Sequence, residues 1–263
     1  MDGTLPAYGL VDHLGVAHWL FYPRPDTSPP PPGAVDRFVE VPGARIAVRL
    51  YEARAGRPAM LLFHGNGEVI ADYDALATAF SQLGIALSVA DYRGYGASSG
   101  TPSFASLFTD AHAVWQAWLR WLEELAAPGP RFVYGRSLGG YPALELAATY
   151  GEAISGLVLE SSAANLGRLV RRFVGEPLGP LAELVRAHDA RIEAVNVPVL
   201  FIHGERDELI PLEAAADLYH RLPSREKDFV VIPNAGHNDI LWVGAEAYFS
   251  AISHFVQRCL RRS

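Results

Sequence analysis

The sequence predicts an α/β protein built on a doubly wound, mostly parallel sheet, and three observations carry that reading. From Arg45 onward, short and nearly uninterrupted apolar runs alternate with segments of helical periodicity, the pattern of strands covered on both faces by crossover helices. Half of the 263 residues are apolar, enough to bury such a sheet. The apolar run Arg131 to Tyr134 passes through Gly135-Arg136-Ser137-Leu138-Gly139 into a helix-forming run, Pro142 to Thr149. A serine between glycines at a strand-to-helix turn is lifted out of the sheet with its hydroxyl free. The length suits one domain, 1–263, rather than two small ones.

The first forty residues read as irregular. Pro23, Pro25 and the run Pro29 to Pro32 break any helix and favour extended backbone. Residues 1–40 are therefore expected to form an N-terminal arm over one edge of the domain, with Phe21 and Tyr22 as apolar anchors. A flexible linker over 26–33 is the alternative.

Ile46 to Tyr51 and Met60 to Phe63 read as strands, the second ending at His64-Gly65-Asn66-Gly67. Leu76, Phe80 and Leu83 give Tyr73 to Leu83 a helical spacing, and Ile85 to Ala90 is the next strand, running into Asp91-Tyr92-Arg93-Gly94-Tyr95-Gly96. A long helix carries Leu107, Val114, Trp118 and Leu122 on one side. Phe132 to Tyr134 is the strand before the serine turn, and Gly156 to Leu159 the strand after its helix. Residues 162–195 interrupt the alternation as a short helical cap insertion, at the carboxyl end of a strand, where open α/β sheets bind ligands. Val199 to His203 and Phe229 to Ile232 complete the strands, and a helix from Ala245 to Leu260 closes the chain.

Composition excludes several classes. A net charge of −7 lacks the basic footprint of a nucleic-acid binder. One cysteine, Cys259, cannot form an internal disulfide. No uncharged apolar run reaches the roughly 18 residues of a membrane span, so no stable membrane insertion is expected. The N-terminus lacks the basic and apolar regions of a secretory signal, and a cytoplasmic location is the expectation. No metal site or P-loop is legible: no two histidines stand at helical spacing with a partner carboxylate, and Asp91 to Gly96 lacks phosphate-cradle spacing.

Three residues carry chemistry in the order Ser137, Asp207, His237, one of the chain orders of a Ser-His-Asp triad. Ser137 needs a general base to become a nucleophile. His237 follows the last strand in the loop Pro233-Asn234-Ala235-Gly236 and supplies a near-neutral imidazole. Asp207, just past the strand Val199 to His203, is placed to orient that imidazole. Glu205, Glu208 and Asp239 are local competitors for the acid, and Glu160 a stronger one. The oxyanion hole is expected from the backbone N–H groups of Leu138 and Asn66. His64 is expected to be a buried hydrogen-bonding residue. Glu68 is assigned to the N-terminus of the following helix, in preference to pinning the oxyanion loop or binding a cationic group. In the cap, Leu166, Leu169, Val170 and Phe173 fall on one helical side and Arg168, Arg171 and Arg172 on the other. These arginines read as a solvated face, with an anionic substrate or a lipid surface as alternatives.

Six pieces in order, Phe21-Tyr22-Pro23-Arg24, His64-Gly65-Asn66-Gly67-Glu68, Asp91 to Gly96, Gly135 to Gly140, His203-Gly204-Glu205-Arg206-Asp207 and Gly236-His237-Asn238-Asp239, resemble the α/β-hydrolase superfamily. More narrowly, they are similar to its small, cap-poor BEM46-like and ABHD17-like groups. The resemblance implies a cofactor-independent serine hydrolase acting on a small-molecule acyl ester through an acyl-enzyme, and an architectural role for the turn Asp91 to Gly96. A thioesterase or lipase working on acylated substrates at a membrane surface is one alternative. A non-catalytic ligand-binding protein on the same scaffold is the other. Oligomeric state is not legible.

Overall fold

A computed structural model describes residues 5–261. Two one-turn helices, α1 (Gly9–Asp12) and α2 (Ala17–Leu20), precede strands β1 (Ala34–Val41), β2 (Ala44–Tyr51) and β3 (Ala59–Phe63). Helix α3 (Asp74–Gln82), strand β4 (Ala86–Ala90), helix α4 (Phe104–Glu124), strand β5 (Arg131–Arg136) and helix α5 (Gly140–Tyr150) follow. After β6 (Gly156–Glu160) come the cap helices α6 (Leu166–Val174) and α7 (Pro180–Ile192). Then β7 (Val199–Gly204), α8 (Leu212–Arg221), β8 (Lys227–Ile232) and α9 (Ile240–Leu260) complete the chain.

The strands form one sheet in the order β1-β2-β4-β3-β5-β6-β7-β8. The pairs β1–β2 and β2–β4 are antiparallel and the other five are parallel. Every residue of β3, β4, β6 and β7 is buried, which is why these strands read as continuous apolar runs. Helices α4 and α5 cover one face, with Trp115 and Trp118 fully buried, and α3 and α9 cover the other, with Phe80 and Phe255 at its centre. That layering is the doubly wound architecture the alternation predicts.

The first forty residues are more structured than expected. Residues 34–40 belong to β1, an antiparallel edge strand that buries only Val39 and mixes Asp36, Arg37 and Glu40 among its apolar residues, so it lacks an apolar run. The segment before it does lie over the domain. Tyr8, Val11, Val16 and Phe21 are buried, the Tyr8 ring stacks on Phe108, and its hydroxyl meets His188 Nδ1 of α7 at 3.1 Å. Phe21 is an anchor, but Tyr22 is not: it is 60 % exposed. The stretch 26–33 is tied at its start, where the Asp26 N–H donates to Gly96 O (3.1 Å) and the Arg49 guanidinium donates to Ser28 O (2.8 Å). Helix α8 carries no signal of its own in the sequence, because its buried face consists of Ala214, Ala215 and Leu218. Helix α9 starts one turn earlier than Ala245 and bends at Gly244 (φ −138°, ψ 38°), where a Cβ would run into Ile232.

The glycines around Ser137 serve close approach more than dihedral freedom. A Cβ at Gly139 would overlap the carbonyl oxygen of Phe63, and one at Gly135 would overlap that of Gly139. The turn can therefore sit directly on the end of β3 only without side chains. Gly139→Ala is expected to destabilise the fold by about 3 kcal/mol or more, read as a large drop in Tm. An unchanged Tm would mean that the strand ends are not packed this closely.

Candidate active site

The site is built where β3, β5, β7 and β8 end, at the carboxyl edge of the parallel strands. Ser137 follows β5 in the left-handed region, with φ of +50°, a conformation that costs a non-glycine residue roughly 1 kcal/mol. The surroundings hold it there: Ser162 Oγ donates to the Ser137 carbonyl (2.8 Å), and a 3₁₀ turn over Ser137–Gly139 leads into α5. Ser137 Oγ lies 3.0 Å from His237 Nε2, and His237 Nδ1 lies 2.8 Å from Asp207 Oδ2. The structure thus brings the three sequence-predicted residues into one hydrogen-bonded line.

Each partner is itself held. The other oxygen of Asp207 accepts the N–H groups of Leu209 (3.0 Å) and Ile210 (2.8 Å). Burial opposes ionisation of Asp207, but the hydrogen bonds from His237 and the Ile210 amide outweigh it and hold the carboxyl below its usual range. The His237 loop is fixed by Asp239 Oδ1, which accepts the Gly236 N–H (2.6 Å), and by Glu205, which accepts the Asn234 N–H (2.8 Å). These bonds occupy two of the competing acids, and Glu208 is exposed.

Glu160 is engaged elsewhere, in a buried cluster that sequence reasoning did not single out. Its carboxylate accepts the hydroxyls of Tyr134 and Tyr248 and pairs with Arg136 Nε at 3.1 Å. Arg136 is the residue just before Ser137, and its side chain is only 12 % exposed. The same guanidinium forms an ion pair with Glu68 and donates to His237 O (3.1 Å) and Asn238 Oδ1 (3.0 Å). Burial works against its charge, but Glu160 and Glu68 outweigh burial and raise its pKa further.

Glu68 therefore does not serve the next helix, contrary to the sequence expectation. Its Oε2 accepts the Gly65 N–H (2.7 Å) and the Tyr73 hydroxyl (2.6 Å), so it pins the loop His64-Gly65-Asn66 from below. The capping role falls instead to Asp72, which accepts the Val69 N–H (3.0 Å). Asn66 is turned by its side chain, whose Oδ1 accepts the Tyr22 N–H (3.0 Å) and the Tyr95 hydroxyl (2.7 Å). Leu138 is the second residue of the 3₁₀ turn, where the first N–H groups have no partner within the helix. His64 is wholly buried, with Nδ1 2.7 Å from Gly65 O and Nε2 3.3 Å from Asp91 Oδ1. The turn Asp91 to Gly96 supports this loop: the Tyr92 hydroxyl donates to His64 O (2.7 Å), and a Cβ at Gly96 would overlap the Asp91 carboxylate.

Ser137, Leu138, Asn66 and His237 share the wall of a cavity of about 510 Å³, within the range of small-molecule sites. Trp19, Leu20 and Tyr22 of the arm, Arg136, Arg168 and Arg172, and Leu209 after β7 are also among its lining. A larger hollow of about 750 Å³ lies at the far end of α5, around Tyr150 and Val197, and contains none of these residues. Among the described residues no three His, Cys, Asp or Glu side chains cluster as a metal site. No described helix is long and apolar enough to cross a membrane.

Comparison with known proteins places these features in context. A family model described as "Serine aminopeptidase, S33" matches residues 55–188 and 178–241. Protein bem46 of Schizosaccharomyces pombe is 31 % identical over 219 residues, which span 78 % of this chain and 69 % of that protein. An uncharacterised protein of Mycobacterium tuberculosis is 33 % identical over 243 residues, 89 % of this chain and 83 % of its own length. In fold, an esterase of Pyrococcus furiosus superposes with a TM-score of 0.70 at 17 % identity, covering 90 % of this chain and 99 % of that one.

Two outcomes follow for the site's stability. Arg136→Met strands Glu160 and Glu68 without their cation and should cost about 3 kcal/mol or more, whereas Arg136→Lys, which keeps the charge and loses the fork, should cost less; equal Tm values for wild type and Arg136→Met would contradict the clamp. Asp207 has a depressed folded-state pKa, so its stabilisation is complete above the unfolded value of about 3.9 and is lost progressively as pH falls below that value and through the lower folded one. The decline of Tm below about pH 4 should accordingly be shallower in Asp207→Asn than in wild type.

Proposed function

The chain belongs to the α/β-hydrolase superfamily, in the family described as serine aminopeptidase S33 and alongside BEM46-like relatives, and from that premise we propose that it hydrolyses carboxylic esters through an acyl-enzyme on Ser137. The observation that carries the proposal is the line of hydrogen bonds Ser137–His237–Asp207 along one wall of the cavity.

In this mechanism His237 Nε2 takes the Ser137 proton as Oγ attacks the acyl carbon. Asp207 holds the Nδ1–H tautomer and stabilises the imidazolium. The N–H groups of Leu138 and Asn66 receive the negative charge that develops on the carbonyl oxygen. Collapse of the tetrahedral intermediate breaks the ester C–O bond, and His237 returns the proton to the departing alcohol. Water, deprotonated by His237, then attacks the acyl-enzyme, releasing the carboxylic acid and restoring Ser137. No cofactor enters the cycle, and thioesters lie within reach of the same chemistry. With one buried cysteine, Cys259, nothing in the mechanism calls for an oxidising compartment, which suits action in the cytoplasm.

An ester fits this cavity better than the amino terminus of a peptide. Recognition of a free ammonium group calls for an acceptor carboxylate, and among the described residues no Asp or Glu lines the cavity. Glu68, the nearest acid in the oxyanion loop, is already committed to Arg136.

Hydrolysis of p-nitrophenyl esters from acetate to palmitate tests the proposal. Ser137→Ala should lose about 10⁴-fold or more in kcat while remaining folded. Asp207→Asn should lose about 10⁴-fold, and Glu160→Gln far less. Serine-independent turnover in a clean preparation would sink the nucleophile assignment, and a larger loss in Glu160→Gln would transfer the acid's role to that residue.

A further inference from the structure

Two guanidinium groups at the cavity have no ion-pair partner among the described residues. Arg168 and Arg172 stand one turn apart on α6, and both line the cavity that holds Ser137 and His237. Neither forms an ion pair with a described residue, whereas their neighbour Arg171 faces Glu176 at 3.8 Å. The third arginine of the lining, Arg136, is consumed by Glu68 and Glu160. The chain as a whole has 29 acidic and 22 basic residues, yet among the described residues this cavity is lined by arginines and by no acid.

The stability of α6 does not account for the pair. Like charges four residues apart on a helix repel. Arg168 is the third residue of the helix, where the positive end of the helix dipole disfavours a cation. The end of the helix is already capped by Asn165 Oδ1, which accepts the Arg168 N–H (2.8 Å), so the guanidinium is not needed there. Arg172, in the last turn, suits the dipole, but that does not explain why it lines the cavity. The same lining carries large apolar side chains: Trp19 is 71 % exposed and Leu209 68 % exposed, and both belong to it.

We infer that the substrate is an anionic amphiphile, an ester whose apolar chain lies against Trp19, Leu20 and Leu209 while Arg168 and Arg172 grip a phosphate or carboxylate group. Guanidinium forks match both anions, and both residues are specificity determinants. The inference rests on the ester-hydrolase reading and deepens it by naming the substrate class. The same guanidiniums leave neutral esters without a polar partner for their free end, so discrimination is expected mainly in KM.

The test compares kcat/KM within two matched pairs. One is 1-decanoylglycerol against 1-decanoylglycerol 3-phosphate, with the anion on the alcohol side. The other is p-nitrophenyl valerate against mono-p-nitrophenyl glutarate, with the anion on the acyl side. The anionic member of one pair should be favoured by about tenfold or more, the ratio should shrink as salt rises, and it should collapse toward one in Arg168→Gln/Arg172→Gln. Ratios near one in wild type for both pairs, or a preference that survives the double substitution, would overturn the inference.

Calorimetry with decyl phosphate below its aggregation threshold, on Ser137→Ala protein, separates this from failure of the hydrolase reading. Binding that requires Arg168 and Arg172 supports the anion site even if no ester is turned over. Ester turnover without such binding overturns the anion site and leaves the hydrolase intact. Inorganic phosphate competing as well as decyl phosphate would overturn the amphiphile. Arginine-dependent binding to phosphatidylglycerol vesicles, with no affinity for the monomer, would reassign the arginines to a membrane surface.

Discussion

The buried guanidinium of Arg136 is the interaction on which the site depends. It is the point where the ends of three strands meet: the loop 64–68 after β3 through Glu68, the end of β6 through Glu160, and the His237 loop through two acceptors. Removing a charge from water is expensive, and the cost is recovered only when every donor is matched. Here the matching carboxylates are further anchored by Tyr73, Tyr134 and Tyr248. The result is a polar network whose members cannot move separately. Ser137 is the next residue along the backbone, so the clamp also fixes the proposed nucleophile. Preorganisation of this kind lets oxyanion donors act without reorganising during the reaction.

A second constraint is geometric. The parallel strands deliver Gly65, Ser137, Asp207 and His237 from the ends of β3, β5, β7 and β8 to one edge of the sheet. The left-handed backbone at Ser137 and the direct seating of Gly139 on Phe63 leave the elbow little freedom. The N-terminal segment then closes the arrangement from outside. The Tyr22 amide fixes Asn66, Trp19 and Leu20 wall the cavity, and Tyr8 ties the segment to the cap through His188. This arm belongs to the site as much as to the edge it covers.

Much of this was legible in the sequence, for identifiable reasons. Strands buried on both faces announce themselves as apolar runs, and the glycine-bounded serine marks the strand-to-helix turn. Elements with a wet face did not: β1 buries only Val39 and mixes charged with apolar residues, and the buried side of α8 is mostly alanine. Tyr22 reads as apolar but spends its ring at the mouth and its amide on Asn66. The clamp was invisible for a different reason. Arg136, Glu68 and Glu160 are far apart in the chain, and a lone charge gives no sign of the partner it meets across a fold. Glu68 accordingly reads in the sequence as a helix-terminus acid, whereas the fold sets it beside Arg136 and Gly65.

The central claim is that Ser137 is an activated nucleophile, and active-site labelling tests it most directly. The folded protein would be exposed to a fluorophosphonate and the adduct located by peptide mass spectrometry. The account predicts one stoichiometric adduct on Ser137, formed rapidly by wild type and very slowly once His237 is replaced by Ala. A folded protein that takes up no label, or carries it on another serine, would contradict the account.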